Sequence, residues 1–286
     1  MTLRILVTGG QGFIGRHAVA ALGARGHDVV VVRRGACNLL DAAARRRAIG
    51  EAQATHLLHL AWFTEHGAFW QSAENLAWRD ASIALFEDFA AAGGRRIVAA
   101  GTCAEYDWHD PPDFIGEDHP IAPTTLYGQC KHETHRALDR QGIDHGWGRL
   151  FLVYGAGEDE RRLVPSVATA LLRGEEAPCT AGEQIRDFMD ARDAGAAFAA
   201  LLLSDVAGAV NIASGQPHSV ADVARLTAAA AGRGDLLRLG ALPTRPGEPE
   251  RLVADVTRLR EAVGFAPRYA LRDGIRDAVA SWRGRA

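Results

Sequence analysis

The stretch TGGQGFIGRH, residues 8–17, follows the apolar run Ile5–Val7 and leads into a helical pattern, so it joins a strand to a helix through glycines at positions 9, 12 and 15. Each spacing has a use. Gly9 makes the tight turn, Gly12 lets the backbone approach a pyrophosphate, and Gly15 lets helix and strand pack closely. A helix starting here aims unpaired N–H groups at phosphates. In a chain with 31 glycines the triplet alone says little. Its place after one strand and before a second, DVVVV at 28–32, makes it a dinucleotide-binding turn.

Outward from this turn, apolar runs alternate with helical stretches: RILVTG, then Phe13–Arg25, DVVVV, then Leu40–Glu51, THLLHLAW, then Ala73–Ala92, RRIVAAGT. That rhythm is βαβ, and all-apolar strands such as Val29–Val32 belong to a parallel sheet covered on both faces. The expected fold is α/β, a doubly wound parallel (Rossmann) sheet with a smaller C-terminal substrate domain. Right-handed crossovers place the carboxyl ends of the strands along one ligand-binding edge. After RLFLVYG the pattern loosens into the loops GAGEDERR and RGEEAPCTAGEQ. HSVADVARLTAAAAGR reads as a helix entered through Ser219, LPTRPGEPERL as a loop and ADVTRLREAVGF as a short helix. Residues 1–155 are expected to form the dinucleotide-binding domain, with a return segment near 186–212, and 156–286 mainly the substrate-binding domain.

The chain has 286 residues, 48% of them hydrophobic, enough to build both parts. A net charge of −3 gives no global positive field for nucleic acid or an anionic membrane. MTLRILVTGG enters a strand at once, without a signal peptide's apolar region, and no run of about 18 apolar residues follows, so a cytoplasmic location is expected. Cys37, Cys103, Cys130 and Cys179 show no ligand spacing; free thiols are expected, with neither disulfide nor metal.

The second strand ends in Arg33 and Arg34. In NAD sites an acid there accepts hydrogen bonds from the adenosine ribose, whereas a 2′-phosphate requires a cation. A guanidinium fork suits phosphate. NADP(H) is therefore favoured over NAD(H), against the alternative of a solvated pair at a strand end.

GTCAEY places Thr102 at the carboxyl end of another strand, and LYGQCK places Tyr127 and Lys131 four apart on one helix face. A nearby ammonium stabilises a phenolate and lowers the tyrosine pKa from its ordinary value near 10. Tyr127 is the expected proton donor, and Thr102 a second hydroxyl on a substrate carbonyl.

In this order TGGQGFIG, HLAW, FWQSAEN, GTCAEY, YGQCK, RLFLVYG, IRDFMDARD and NIASGQPHSV resemble the extended short-chain dehydrogenases/reductases, the NAD-dependent epimerase/dehydratase family acting on nucleotide sugars. The resemblance covers essentially the whole chain. It implies a Thr102–Tyr127–Lys131 triad, with Phe13 and Ile14 by the pyrophosphate, Asn38 and Leu39 by the adenine, and Leu60, Ala61, Asn75 and Leu150 along the cofactor. Thr102, Cys103, Tyr127 and Leu152 would face the sugar, and Arg186 and Arg245 its diphosphate; for these two arginines, a surface ion pair or a loop cation is the alternative. It also implies a homodimer through a four-helix bundle built from the helix carrying Tyr127 and Lys131 and the long helix 73–92, with intramolecular core as the equal alternative for the apolar stripe of the latter.

Three departures narrow the reaction that the resemblance implies. Dehydratases of the family follow the threonine with Asp-Glu, where this chain has Cys103 and Ala104. A 3,5-epimerase/reductase places its cysteine two residues after the catalytic serine, whereas Cys103 is one after Thr102. The 4-epimerases carry an asparagine where RLFL has Leu152. The expected activity is NADPH-dependent reduction of the C4 ketone of a nucleoside diphosphate 4-keto-6-deoxysugar, with specificity set around Leu152, Arg161, Arg162 and Val164. The alternatives are a 4-epimerase with tightly bound NAD and a non-catalytic NADP-binding regulator.

Overall fold

In the first half of the chain the apolar runs become strands and the stretches between them helices. The structure, a computed structural model, describes residues 2–244 and 247–284. In chain order come β1 (Arg4–Thr8), α1 (Gly15–Ala24), β2 (Asp28–Val32), α2 (Ala42–Ala52), β3 (His56–His59), α3 (Glu74–Ala91), β4 (Arg96–Thr102), α4 (Leu126–Arg140) and β5 (Asp144–Leu150). The second half supplies β6 (Leu152–Tyr154), α5 (Leu163–Leu172), β7 (Ala177–Pro178), β8 (Ile185–Asp190), α6 (Ala191–Leu203) and β9 (Gly208–Ile212). It continues with β10 (Pro217–Ser219), α7 (Val220–Ala231), β11 (Leu237–Arg238), β12 (Arg251–Leu252), α8 (Thr257–Glu261) and α9 (Leu271–Trp282).

Six strands pair in the order β2-β1-β3-β4-β5-β9, and every neighbouring pair is parallel. Strand order reverses between β1 and β3, and the crevice at such a switch point is where open α/β sheets take ligands. Strand side chains alternate between faces. Ile5, Val7 and Val98 pack with α1 and α6, while Leu6, Leu57, Ile97 and Trp147 pack with α2, α3 and α4. Burial of both faces is why these strands read as unbroken apolar runs. On β5, a Cβ at Gly146 would press on Leu201 and one at Gly148 on Phe198, so these glycines let α6 lie close against the sheet.

Residues 191–212 return to this sheet as α6 and β9, whereas 185–190 form the central strand of a second sheet. There β8 pairs antiparallel with β10 and parallel with β12 along its first half, and parallel with β6 along its second. Tyr154, Phe188, Val164, Val223, Ile275 and Trp282 form the apolar cluster between this sheet and α5, α7 and α9. Several helix starts are locally encoded. Asp41 accepts from Ala44 N at 2.7 Å to open α2, and the Ser219 hydroxyl accepts from Asp222 N at 3.0 Å to open α7. Among the described residues no helix is long and apolar enough to cross a membrane.

Candidate active site

Thr102 is the last residue of β4 and lies opposite Leu150 of β5, so both stand on the carboxyl edge of the sheet. Beyond Thr102 the chain makes one tight turn, Cys103–Glu105. The Glu105 carboxylate accepts from Thr102 N at 2.8 Å, and the Thr102 hydroxyl accepts from Ala104 N at 3.2 Å. Glu105 is fully buried and also accepts from Trp147 Nε1 at 2.9 Å and Arg149 Nε at 3.2 Å. Arg149 donates to the Tyr106 hydroxyl at 3.1 Å, which donates to Asn211 Oδ1 at 2.7 Å. Burial raises the Glu105 pKa against the opposing pull of Arg149. The floor under Thr102 is thus a buried network whose members satisfy one another.

Helix α4 starts beside this turn, with the Thr125 hydroxyl accepting from Gly128 N at 3.1 Å. A Cβ at Gly128 would collide with the Ala104 carbonyl, and this close approach brings Tyr127 to Thr102. Trp62, Phe69 and Trp70 meet the Tyr127 ring edge-on, with centroids at 6.4, 5.0 and 5.9 Å. Lys131, the only lysine of the chain, donates to the Ala100 carbonyl at 2.7 Å and stands 3.8 Å from the centroid of the Trp62 ring. Burial lowers its pKa to about 7, with Glu105 pulling the other way.

The expected lowering of the phenol pKa is not what this arrangement produces. Burial raises Tyr127 above its ordinary value; the facing Thr102 hydroxyl and the charge of Arg162 pull it down, while Cys103 and Glu105 add to the rise. The physical reason lies in Lys131. Its ammonium is turned to Ala100 and Trp62, and it is desolvated enough to release its own proton near neutrality.

At the switch point Gly9 has φ +69°, and a Cβ there would stand 2.6 Å from Ala61 N, so the turn rests on the Leu60–Ala61 backbone at the end of β3. A Cβ at Gly15 would overlap the Gly9 carbonyl, whereas one at Gly12 meets only that oxygen, at 3.1 Å. Helix α1 has no side-chain cap and no acid in its first turn. Small residues and an unblocked helix N-terminus make a cradle that fits a pyrophosphate. Phe13 and Ile14 line it, both half-buried. At the end of β2, Arg33 and Arg34 are exposed, and neither side chain has a hydrogen-bond or ion-pair partner among the described residues. Asn38 follows on the surface and Leu39 is buried.

Asn75, expected along the cofactor, has its side-chain amide committed to the protein. It is fully buried, donates to Phe69 O at 2.6 Å and Ser72 O at 2.9 Å, and accepts from Trp62 Nε1 at 2.9 Å. Its hydrogen bonds hold the loop that carries the aromatic residues around Tyr127.

On the substrate side, the Cys103 thiol is pushed up to about 12 by burial, against the opposing charge of Arg186, so it is no thiolate nucleophile. Arg186 is buried, donates to Ile185 O at 2.9 Å and to Glu250 O at 3.4 Å, and its carboxylate contact, with Glu248, is loose at 3.7 Å. Its sequence neighbour Asp187 instead accepts from Ser214 N, Ser214 Oγ and Gly215 N. Leu152, on β6, is half-buried. Arg161 pairs with Asp159 at 2.8 Å. Arg245 lies outside the described residues. Sequence reasoning missed the Trp62–Phe69–Trp70 enclosure and the Glu105–Arg149 floor, although T-x-x-E at 102–105 is a capping-box signal that marks Glu105.

The profile of the NAD dependent epimerase/dehydratase family matches residues 5–213. The chain belongs to this family. A UDP-glucose 4-epimerase of Corynebacterium glutamicum, one curated member, is 27% identical over 318 residues that span 97% of this chain and 95% of that protein. Among solved structures, the Thermus thermophilus UDP-glucose 4-epimerase in complex with NAD superposes with a TM-score of 0.86 at 28% identity, over 99% of this chain and 100% of that one. RMD from Pseudomonas aeruginosa, complexed with NADPH, shares the fold, with a TM-score of 0.86 at 22% identity and all of both chains covered.

Proposed function

We propose that this epimerase/dehydratase family member uses NADPH to reduce the C4 ketone of a nucleoside diphosphate 4-keto-6-deoxysugar. The observation that carries the reading is the pair of exposed guanidiniums at the end of β2, unpartnered among the described residues, where an adenosine 2′-phosphate needs a cation. Gly9, Gly12, Phe13, Ile14 and Gly15 would hold the pyrophosphate, Arg33 and Arg34 the 2′-phosphate, Asn38 and Leu39 the adenine. Leu60, Ala61 and Leu150 would line the path to the nicotinamide, and Lys131 would meet its ribose. When bound, the reduced nicotinamide supplies the two electrons that the ketone carbon takes up.

The chain's own residues handle the proton. The Tyr127 phenol carries its proton at neutral pH, as donation to a ketone oxygen requires, and burial makes it a weaker acid than a free phenol. Thr102 donates a second hydrogen bond to that oxygen. Trp62, Phe69 and Trp70 keep water from the phenol. Arg186, free of a tight ion pair, is the cation offered to the diphosphate, with Cys103 and Leu152 beside the sugar. Glu105 cannot act as an acid or base on substrate, because its oxygens are committed beneath Thr102. In this reading the enzyme works as a cytoplasmic homodimer through α3 and α4, which a particle mass in solution tests.

A 4-epimerase with tightly bound NAD is the second reading, favoured by the curated UDP-glucose 4-epimerases at 27–29% identity that align with nearly the whole chain. One experiment separates the two. The protein is incubated with NADPH and dTDP-, GDP-, CDP- and UDP-linked 4-keto-6-deoxysugars, and absorbance and product configuration are followed. Stoichiometric NADPH consumption with one of them supports the reductase. NAD retained through purification, with interconversion of two 4-hydroxy sugar nucleotides and no net oxidation of added cofactor, supports the epimerase. Cofactor binding without turnover of either kind returns the chain to a regulator.

A further inference from the structure

The far end of α4, two helical turns beyond Tyr127 and Lys131, and the start of β5 bring His135, Asp139 and His145 together, with their ligand-capable atoms all within 4.8 Å of one another. His135 and Asp139 share a helix face as an i,i+4 pair, and β5 brings His145 against them. His145 Nε2 lies 2.8 Å from Asp139 Oδ1. Its other nitrogen, Nδ1, lies 3.1 Å from the Ile143 carbonyl. A carbonyl only accepts, so Nδ1 carries the proton. His145 Nε2 and the Asp139 oxygen thus face each other at the rim of the cluster. His135 Nε2 is the third member. The residue is 7% exposed, this nitrogen has no hydrogen-bond partner among the described residues, and it points at the same carboxylate oxygen from 3.6 Å.

We propose that His135, Asp139 and His145 bind a divalent first-row metal ion, zinc being the best match, with a fourth position open to water. Two imidazoles and a carboxylate form a donor set of the kind zinc takes, and tetrahedral bonds of about 2.0–2.1 Å put ligand atoms about 3.3 Å apart. The spacings of 2.8 and 3.6 Å bracket that value. Asp139 is half exposed and free to adjust. Zinc-bound histidines commonly donate their second nitrogen to a carbonyl, as His145 does to Ile143. The His135 ring is held by stacking on Trp147 at 4.8 Å and 7°. The cysteines take no part: none lies in the cluster. An ion here would pin the end of the helix carrying Tyr127 and Lys131 to the strand that carries Trp147 and Arg149.

The test is calorimetric titration of the full chain, free of any histidine tag and stripped with chelator, with zinc chloride at pH 7.5, alongside thermal melts. One saturable site is expected, with a rise in Tm. Asp139→Asn and His145→Gln, each checked by circular dichroism for native fold, should weaken binding at least tenfold, while His109→Gln on a remote surface should leave it unchanged. Absence of saturable binding overturns the proposal. So does binding that both substitutions leave intact, since the ion then sits elsewhere. These readouts do not depend on the reaction assigned above.

Discussion

Two cationic regions of the same sheet edge differ in almost every physical respect. At the end of β2, Arg33 and Arg34 stand exposed, without partners among the described residues. At the end of β4 and the start of α4, Lys131 is enclosed between the Ala100 carbonyl and Trp62, next to a tyrosine that burial has moved from its ordinary behaviour. The exposed pair can act on a ligand only by charge complementarity and fork geometry. The enclosed pair has protonation equilibria that the fold itself has displaced, which is what proton transfer requires. The difference separates selection of a cofactor from the chemistry done with it.

The largest effect should fall on the enclosed region. Tyr127→Phe is expected to lower turnover by roughly 10²–10⁴-fold, the usual contribution of a positioned proton donor, with cofactor affinity held within a few-fold. A variant retaining more than a tenth of native kcat would show that another group is the acid, and the contrast between the regions would fail. Beneath it, Glu105→Gln leaves Arg149 buried without its counter-charge. A loss of about 3 kcal/mol is expected, read by urea denaturation; a change within experimental error would mean that the floor under Thr102 does not rest on that charge.

At the open end the expected effect is smaller. Arg33→Asp should shift the NADPH-to-NADH affinity ratio by about tenfold to a hundredfold, since one charge-assisted hydrogen bond contributes about 1.5–3 kcal/mol. Equal dissociation constants for both cofactors in the native protein would remove the role assigned to the pair.

The smallest effect returns to Lys131. Its folded pKa of about 7 lies below the unfolded value of about 10.4, so above pH 7 the unfolded chain holds a proton that the folded one has lost, and stability rises with pH. Over pH 7–8 Glu158, whose carboxyl burial raises to about 8, works in the opposite direction, and the raised thiols of Cys103, Cys130 and Cys179 do so higher up, so the lysine's share is read as a difference between variants. From pH 7 to 8 the native protein is expected to change in stability by about 1 kcal/mol more favourably than Lys131→Met does. An unchanged slope in that variant would show that the lysine is not desolvated in solution.

The features written locally were legible. The glycine turn, the alternation of apolar runs and helices, and the Thr102, Tyr127 and Lys131 spacing all depend on residues near one another in the chain. What escaped is tertiary. Trp62 ends the apolar run THLLHLAW and Phe69 opens FWQSAEN, and only their return over α4 makes them the wall around Tyr127. Arg149 sits near the end of β5 between Gly148 and Leu150, where nothing local announces that Glu105 lies beneath it. Helix α6 is apolar nearly all round, with Ala191, Ala194, Ala197, Phe198, Leu201 and Leu202 buried, so it lacks the polar face that marks a surface helix. The strands of the second sheet other than β8 are two or three residues long, too short to show a period. The direction of the Tyr127 shift depends on burial, which spacing does not report.

The solitude of Lys131 has an analytical consequence. Apart from the α-amino terminus, an acylating reagent finds one primary amine in the entire chain, and it lies in the candidate site. Because that amine is 3% exposed, modification must wait for the pocket around it to open. The rate at which a single internal adduct accumulates in a mass spectrum therefore times that opening, and its suppression by a ligand measures occupancy without any assumption about what the ligand becomes.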